Sequence, residues 1–532
     1  MNLEILFAII PGIILFLYGT EQFSSEIQNI AGKRFSSFLG KATKTPLRGT
    51  LLGALVTAAI QSSLATTIIA MGLVNAGVIS FAQSLGVIFG ANIGTTVTAQ
   101  LVAFKVTAFA PIFILLGFVL GLTNNHFRAF SKPIFYFGLV FFALNLVSTE
   151  VEFIKDDPLV VSLFSNFSNI LVALVAGFVL TNLFQSSSVT SGLVLVFAQG
   201  GLITLPQAIP VLFGANIGTT VTSLLVSARK GLFVRRAAVA HFLFNFFGVL
   251  MFLPILPIFI SAVQSLGGNE AQQVANAHVI FNVAAAAVFL VLINPFRSAV
   301  EWIVRGKEDE ILLKTKFLGE RLPEKNSEAF LVLERELNHS LETSRMLFDE
   351  VLSAIKAGGQ KFDRASKLES LADFLDGRIS EAILELSRRD FAKKDVERMV
   401  LLVRLSNANE QLSDLADDIS QLYQSMSRKG ISFSQESTDG LSEVYSGLQK
   451  NIIEFEGGFP HMGEKAILKM SKNDSELRQK INSNYDSFLK RMAKKQVPSG
   501  SFFIEMLSVV EAANAKLREM RKLAEMYREV SG

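Results

Sequence analysis

The feature that most constrains this chain is a block of polar and small residues that occurs twice inside apolar sequence. Residues 61–98 and 185–222 are related by a constant offset of 124 residues, with 18 of the 38 positions identical and no gap. So much identity at one offset indicates an internal repeat. Because polar residues are costly in apolar segments, matched polar breaks are typical of secondary transporters whose binding site is built from repeats.

Charge and hydrophobicity are segregated along the chain. Half of the residues are hydrophobic and the mean hydropathy is +0.41, yet there are 50 Lys and Arg and 47 Asp and Glu. Apolar runs dominate up to about residue 296 and charged residues dominate after it. This predicts a membrane domain at 1–300 and a soluble domain at 301–532. The net charge of +3 gives no reason to expect nucleic-acid binding, and the lack of cysteine excludes disulfides and thiolate sites.

Most apolar runs are long enough to cross a bilayer, and the first, 5–23, lacks the basic start of a signal peptide and is interpreted as a retained helix. Two segments, 47–60 and 170–184, are too short to cross, and each runs through a Gln-Ser-Ser motif into a second short run. This pattern predicts two re-entrant helical hairpins in an all-α, polytopic membrane fold. The remaining predicted spans are 82–104, 106–122, 133–147, 207–226, 237–260 and an extra helix at 275–295.

Basic residues cluster in loops that would share one side of the membrane, at 33–48, 128–132, 229–236 and 297–307. The positive-inside bias makes these loops cytoplasmic, which places the amino terminus outside and the soluble domain inside the cell (inner) membrane. The first hairpin then enters from the cytoplasm and the second from outside. The two repeats, about 1–124 and 125–266, are therefore predicted to have inverted topology.

The repeat cores offer dipoles but no formal charge, since 49–104 and 159–228 contain no Asp, Glu, Lys, Arg or His. Serine hydroxyls, glutamine amides and N–H groups at a helix start suit an oxyanion, while hydroxyl and carbonyl oxygens suit sodium. An anion buried there needs compensation, so co-bound cations are expected. We expect the glycines of the two Gly-Ala-Asn-Ile-Gly-Thr-Thr segments to break their helices and expose carbonyls, with close packing as the competing role.

The paired Gln-Ser-Ser and Gly-Ala-Asn-Ile-Gly-Thr-Thr segments resemble those of the type II sodium/phosphate cotransporter family, over about 1–297. The resemblance implies hairpin tips that bind inorganic phosphate together with sodium as the coupling ion, within the lipid bilayer. The first copy departs from the family motif at Leu64, where a serine is expected. The candidate substrate and ion ligands are Gln61, Ser62, Ser63, Thr66, Thr67, Asn92, Thr95, Thr96, Gln185, Ser186, Ser187, Ser188, Thr190, Ser191, Asn216, Thr219 and Thr220.

Two further polar pairs lie in apolar helices, His241 with Asn245 and His278 with Asn282. Each pair is spaced to share one helix face. A hydrogen-bonded pair that locks neighbouring helices is one interpretation, and a proton or ion relay is the other.

The soluble domain has apolar residues at helical spacing, which predicts an antiparallel helical bundle. Its stretch 402–417 resembles the PhoU-like domain, a helical domain of phosphate signalling, and the resemblance marks Glu410 and Asp414 as a carboxylate pair. Glu369 and Asp373 have the same spacing in the preceding helix. Such pairs on facing helices would hold a divalent metal, or else are ordinary solvated charges. The domain could report phosphate status, contact a partner or form a homodimer.

The sequence therefore favours a sodium-dependent phosphate symporter that works by alternating access between the paired tips. A phosphate exporter that uses the same site and a phosphate-sensing regulator that does not transport are the alternatives. A channel would need a continuous polar face across the membrane, whereas polar residues here are confined to the hairpin tips and the breaks in the apolar segments. No nucleophile and base occur together, so we do not expect an enzyme.

Overall fold

The computed structural model describes residues 3–104, 106–123, 126–306, 310–319, 321–358, 362–493 and 499–531. In these ranges all regular structure is helical, which confirms the predicted all-α class. The chain divides into two compact units, Met1–Glu310 and Ile311–Gly532.

The first unit contains both long and short helices. The expected boundary between the repeats, at residues 124 and 125, lies outside the described residues. The helices are α1 (Leu3–Ala42), α2 (Pro46–Ile60), α3 (Ser63–Asn75), α4 (Phe81–Ala103), α5 (Ala110–Gly121), α6 (Ser131–Ile154), α7 (Pro158–Ser165), α8 (Ile170–Phe184), α9 (Ser187–Gln199), α10 (Leu205–Ser227), α11 (Leu232–Phe252), α12 (Leu256–Ser265), α13 (Glu270–Val291) and α14 (Ile293–Ile303).

Five helices in the part of the chain that is described are long and apolar enough to cross a membrane: α4, α6 with the turn before it, α10, α11 and α13. The segments Pro158–Ser168 and Ile170–Phe184 would form a sixth span together, but they are bent by 108°. The predicted polytopic membrane fold is thus confirmed. The predicted span 237–260 is interrupted between α11 and α12, because Pro254 and Pro257 lack the N–H that a continuing helix needs.

The predicted hairpins are present as the helix pairs α2/α3 and α8/α9. The entry to each is fixed by a side-chain cap: Thr45 accepts a hydrogen bond from the backbone N–H of Arg48, and Asn169 accepts one from Leu171. Both arms of each hairpin are only 13 or 15 residues long. At 1.5 Å per residue an arm spans about 20 Å, less than the thickness of the hydrocarbon core.

The expectation that the repeated glycines break their helices is wrong, because α4 and α10 run without interruption through both motifs. The glycines instead remove side chains at helix contacts. A Cβ atom at Gly90 would overlap the carbonyl oxygen of Thr50, and one at Gly214 would overlap that of Leu174. The bare surfaces let α2 lie directly on α4 and α8 directly on α10, as small residues do in membrane helices.

Helix α1 is a single helix of 40 residues, about 60 Å long. It packs against α6, where Gly12 faces Val147 and Gly19 faces Val140. Between Glu4 and Thr20 the helix is apolar, and polar residues recur from Thr20 onward. One helix therefore supplies both a packing surface and a polar surface to the first unit.

The second unit is a bundle of long amphipathic helices around one apolar core. The largest fully buried side chains of this core include Phe330, Tyr445, Phe503 and Tyr527. The helices are α15 (Asn326–Lys356), α16 (Asp363–Leu386), α17 (Lys393–Arg428), α18 (Gln435–Gly458), α19 (Glu464–Met492) and α20 (Gly500–Ser531).

Candidate functional site

Each hairpin reverses at a glutamine held in the left-handed region. The φ angles are 59° at Gln61 and 53° at Gln185, and within the described ranges these are the only residues other than glycine with positive φ. Such a conformation is strained for a residue with a side chain and clusters at functional sites. The following serines cap the next helices, since Ser62 Oγ lies 3.2 Å from the Ala65 N–H nitrogen and Ser186 Oγ lies 3.3 Å from that of Val189.

The first N–H groups of α3 and α9 are left without acceptors. Those of Ser63 and Leu64 in one tip, and of Ser187 and Ser188 in the other, have no hydrogen-bond partner in the described structure. The first N–H groups of a helix have no intrahelical partner, and the helix dipole is positive at this end. Each tip is therefore a donor array suited to an anion.

A threonine pair joins the two arms behind each tip. Thr57 Oγ1 donates to Thr66 Oγ1 at 2.8 Å, and Thr181 Oγ1 donates to Thr190 Oγ1 at 2.9 Å. All four side chains are buried. Since Thr66 and Thr190 in turn donate to the carbonyl oxygens of Ser62 and Ser186, their hydroxyl groups hold the tip geometry.

Both tips open into one cavity of about 590 Å³. Its volume is that of roughly 20 water molecules at about 30 Å³ each, which leaves room for an anion with accompanying ions and water. The two hairpins thus converge although their tips are 124 residues apart in sequence. The cavity is lined by Leu17, Thr20, Glu21, Ser24, Ser25, Gln28, Asn29, Gln61, Ser62, Ser63, Leu64, Leu183, Phe184, Gln185, Ser186, Ser187, Ser188 and Thr219.

The two glutamines at the tips differ in their hydrogen bonds. Gln61 Nε2 donates to the Ala58 carbonyl oxygen at 2.5 Å, and its Oε1 accepts a bond from Thr98 Oγ1. Gln185 is exposed, and its side chain makes no hydrogen bond in the described part of the chain. Thr222, the repeat counterpart of Thr98, also makes none there.

The structure separates the predicted ligands into those that line the cavity and those that do not. The tip residues of both copies line it, together with Thr219. The side chains of Asn92, Thr95, Thr96 and Thr220 donate to carbonyl oxygens of their own helices. The hydroxyl groups of Thr67 and Ser191, which occupy equivalent positions in the two repeats, are buried without a hydrogen-bond partner among the described atoms.

Asn216 belongs to a buried polar cluster away from the cavity lining. Its Nδ2 donates to Asn282 Oδ1 at 3.3 Å, and its Oδ1 lies 3.3 Å from His278 Nε2. His241 Nδ1 similarly lies 3.2 Å from Ser223 Oγ. These bonds link α10 to α13 and α11, so the helix-locking interpretation of the histidines fits, with partners that sequence spacing did not identify.

Sequence reasoning missed the contribution of α1. Seven of its residues line the cavity, and the clearest spacing is Glu21, Ser24, Ser25 and Gln28. These positions follow the i, i+3, i+4, i+7 pattern of one helix face. A polar stripe at this period beside an apolar span was the signal that could have identified them.

In the second unit, three of the four predicted carboxylates meet. Oxygens of Glu369, Asp373 and Asp414 all lie within 4.8 Å of one another, and Glu410 lies one turn before Asp414. Burial, followed by the charge of Asp373, raises the pKa of Glu369 to about 7. Burial and neighbouring carboxylates also raise the pKa values of Glu410 and Asp414. Carboxylates crowded together in this way repel one another, and a bound cation would balance their charge.

Comparison with known proteins places these features in one family. The model of the family described as Na+/Pi-cotransporter matches twice, over residues 15–149 and 145–287, so that the two matches follow the internal repeat. No solved structure matches the chain.

Among the similar proteins, the Uncharacterized protein YqeW of Bacillus subtilis is 31% identical over 276 residues, which cover 49% of this chain and 86% of that protein. The Putative inorganic phosphate export protein YjbB of Escherichia coli is 23% identical over 452 residues, 84% of this chain and 83% of its own. The human Sodium-dependent phosphate transport protein 2B is 33% identical over 141 residues, 24% of this chain and 20% of its own. Because the family model spans more than half of the sequence in two consecutive matches, this chain belongs to the Na+/Pi-cotransporter family.

Proposed function

We propose that the protein is a sodium-dependent symporter of inorganic phosphate that binds its substrate between the two hairpin tips. The observation that carries this proposal is the convergence of two helix N-termini, each with free N–H groups and serine hydroxyls, on one cavity. A tetrahedral oxyanion accepts many hydrogen bonds, and the backbone N–H groups and serine hydroxyls of the two tips are donors suited to it. The names of the human relative and of the matching family agree with this substrate and this ion.

Transport by this arrangement would follow alternating access. Each hairpin would close one side of the site, with the predicted inverted topology placing one tip on each side. The residues we assign to phosphate and sodium are those of the two tips with Thr219, whereas Thr66 and Thr190 shape the tips. Thr67 and Ser191 supply buried hydroxyl oxygens that a sodium ion would satisfy.

The test is phosphate uptake into proteoliposomes with and without an inward sodium gradient. We expect sodium-dependent uptake in the wild type, and loss of at least 90% of it in Gln61→Ala and in Ser187→Ala, because each removes donors from the site; the size follows from about 1.4 kcal/mol per tenfold change. The exposed Gln264→Ala serves as the matched control and keeps wild-type uptake. Phosphate uptake that does not depend on the sodium gradient would rule out a sodium symporter.

A phosphate exporter is the second candidate, favoured by the relative named as an export protein, which matches 84% of this chain and so includes most of the second unit. The same vesicles distinguish the two. An exporter would release preloaded phosphate when only the outward phosphate gradient is present, whereas a symporter would need sodium on the same side as the phosphate.

We propose that the second unit is a cytoplasmic PhoU-like domain that binds a divalent metal at Glu369, Asp373 and Asp414, with Glu410 alongside. Protons compete with the metal, because the pKa of Glu369 is raised to about 7. Calorimetric titration of the full chain with Mn²⁺ is expected to show affinity that rises from pH 6 to pH 8. Glu369→Gln should weaken binding about tenfold or more, and the exposed Glu385→Gln on the same helix should not. Binding that is insensitive to Glu369→Gln would contradict the assignment.

The same carboxylate predicts how stability depends on pH. A folded-state pKa raised above the ordinary value of 4.5 means that ionisation is less favourable in the folded protein. Stability contributed by this group is therefore present at low pH and is lost as the pH rises from about 4.5 through 7. In EDTA, the melting temperature of the second unit should fall over that window less steeply in Glu369→Gln than in the wild type.

We place the protein in the cell (inner) membrane with an external amino terminus and a cytoplasmic second unit, on the basis of the charged loops. Because the chain contains no cysteine, single cysteines can report sidedness without background. Lys230→Cys is expected to react only with membrane-permeant maleimide, and Asp156→Cys with the impermeant reagent as well. The reverse labelling pattern would contradict this topology.

The homodimer stays a hypothesis, and mass photometry of the detergent-solubilised chain tests it.

A further inference from the structure

The cavity has a second wall whose chemistry differs from that of the hairpin tips. This wall is the polar face of α1, formed by Thr20, Glu21, Ser24 and Gln28. Among the described residues that line the cavity, Glu21 is the only one that ionises, so the formal charge of the lining is negative. A cavity proposed to receive a phosphate dianion thus carries a carboxylate and no cationic side chain.

The hydrogen bonds of α1 determine which atoms this wall offers. Thr20 Oγ1 donates its proton to the carbonyl oxygens of Phe16 and Leu17, each at 2.9 Å, and so presents lone pairs outward. Gln28 Nε2 donates to Ser24 Oγ at 3.1 Å, which leaves the Gln28 carbonyl oxygen as an acceptor. Acceptor oxygens and a carboxylate are ligands for a hard cation, whereas the hairpin tips offer donors.

Glu21 also differs from the next acidic residue on the same helix. Glu26 does not line the cavity, and its carboxylate lies 3.0 Å from Lys132 Nζ. Glu21 has no cationic partner in the described residues. Since like charges placed in one cavity repel, phosphate and an unneutralised Glu21 would disfavour each other.

We propose that Glu21 anchors a coupling sodium ion on α1, with acceptor oxygens of the Thr20–Gln28 face completing its shell, so that the sodium-loaded cavity is the form that accepts phosphate. This inference rests on the proposed function for the role of the ion and adds a cation-binding wall that lies outside the repeated motifs. The site is open to water, which suits weak binding of an ion present at high concentration.

The experiment measures binding of radioactive ²²Na⁺ to the purified full-length protein in the absence of phosphate, by scintillation proximity. Glu21→Gln should raise the half-saturating sodium concentration at least fivefold, which corresponds to about 1 kcal/mol. Glu21→Asp keeps the charge, and its half-saturating sodium concentration should lie between those of the wild type and Glu21→Gln. Glu26→Gln is the matched control, since it removes an acidic group from the same helix outside the cavity, and it should bind sodium as the wild type does.

Equal sodium binding by the wild type and Glu21→Gln, or no sodium binding by the wild type, would overturn the proposal. Size-exclusion profiles and melting temperatures of all four proteins confirm that they are folded. Phosphate uptake tests the proposed function separately. If the protein transports phosphate but its sodium binding does not depend on Glu21, the proposed function stands and only the α1 sodium site is refuted. Proton-driven uptake that disappears in Glu21→Gln while sodium binding is unchanged would assign the carboxylate to a proton and equally refute the sodium site.

Discussion

The two hairpin tips share one backbone design but not one set of contacts. Both reverse at a left-handed glutamine, both are capped by serine, and their arms are joined by threonine pairs at 2.8 and 2.9 Å. In the first tip Thr98 and the Ala58 carbonyl hold the glutamine side chain, whereas Gln185 of the second tip is exposed and unbonded in the described structure.

The surroundings of the two hairpins differ in the same direction. The first arm of the first hairpin, α2, buries Val56, Thr57 and Ile60 near its tip. The corresponding α8 buries only Ala173, Gly177 and Thr181, and its Leu171 and Leu183 are each more than two-thirds accessible. In a membrane protein such apolar residues suit contact with lipid. The repeated sequence thus gives both tips the same local fold, whereas the neighbouring residues determine whether the glutamine side chain is hydrogen-bonded. One state of an alternating-access cycle requires such an asymmetry between the two tips.

The largest expected effect tests what the two halves share. Gly90→Ala and Gly214→Ala should each destabilise the protein by about 3 kcal/mol or more, because the new Cβ atom meets a carbonyl oxygen of the adjacent helix. Gly72→Ala in α3 is the control, since its Cβ would meet nothing within 4 Å and alanine favours the helix by up to ~1 kcal/mol. Melting curves in detergent measure all three. A large effect in only one half would break the equivalence of the two scaffolds.

The next effect sharpens the difference between the tips. Thr98→Val removes the hydroxyl that holds Gln61, and a hydrogen bond worth about 0.5–1.5 kcal/mol corresponds to a roughly 2- to 12-fold higher KM for phosphate. Thr222→Val should leave the KM unchanged, since Thr222 makes no such bond in the described residues. Uptake kinetics in proteoliposomes provide the readout. Equal shifts in both variants would show that the two glutamines are held alike.

A smaller effect concerns the position where the tips differ in sequence. Leu64→Ser adds a hydroxyl to the first tip, and Ser188→Leu removes the equivalent one from the second. Both positions line the cavity. We expect phosphate affinity to rise about threefold in the first variant and to fall by a similar factor in the second, the change expected for roughly 0.7 kcal/mol. A fall in phosphate affinity for Leu64→Ser together with a rise for Ser188→Leu would contradict a donor role for this position.

The smallest expected difference is zero. Thr57→Val and Thr181→Val each remove a mirrored bond between hairpin arms and should each cost about 1 kcal/mol of unfolding free energy. Denaturant or thermal unfolding of the two variants gives the comparison directly. A clear difference between them would mean that the arms, and not only the tips, have diverged.

Much of this architecture could be predicted because the membrane penalises polar residues so strongly. The short arms that flank Gln61 and Gln185, and the segregation of charge near residue 300, follow from spacing and composition alone. The role of the repeated glycines could not be derived, since a glycine that breaks a helix and one that lets two helices touch look the same in one sequence. The α1 wall was missed because Glu21 lies at the end of an apolar span, outside the paired motifs, and only the packed fold brings it to the tips.

The strained glutamines have a consequence for how such proteins are engineered. Glycine adopts positive φ without the cost of about 1 kcal/mol or more that other residues bear. Gln185→Gly gives up no side-chain hydrogen bond in the described structure and should tolerate heating better than the natural chain, whereas Gln61→Gly also loses the bonds to Ala58 and Thr98. A laboratory screen that selects variants by thermal tolerance alone would therefore favour loss of the glutamine at position 185, so libraries designed for stability need to leave that codon unchanged.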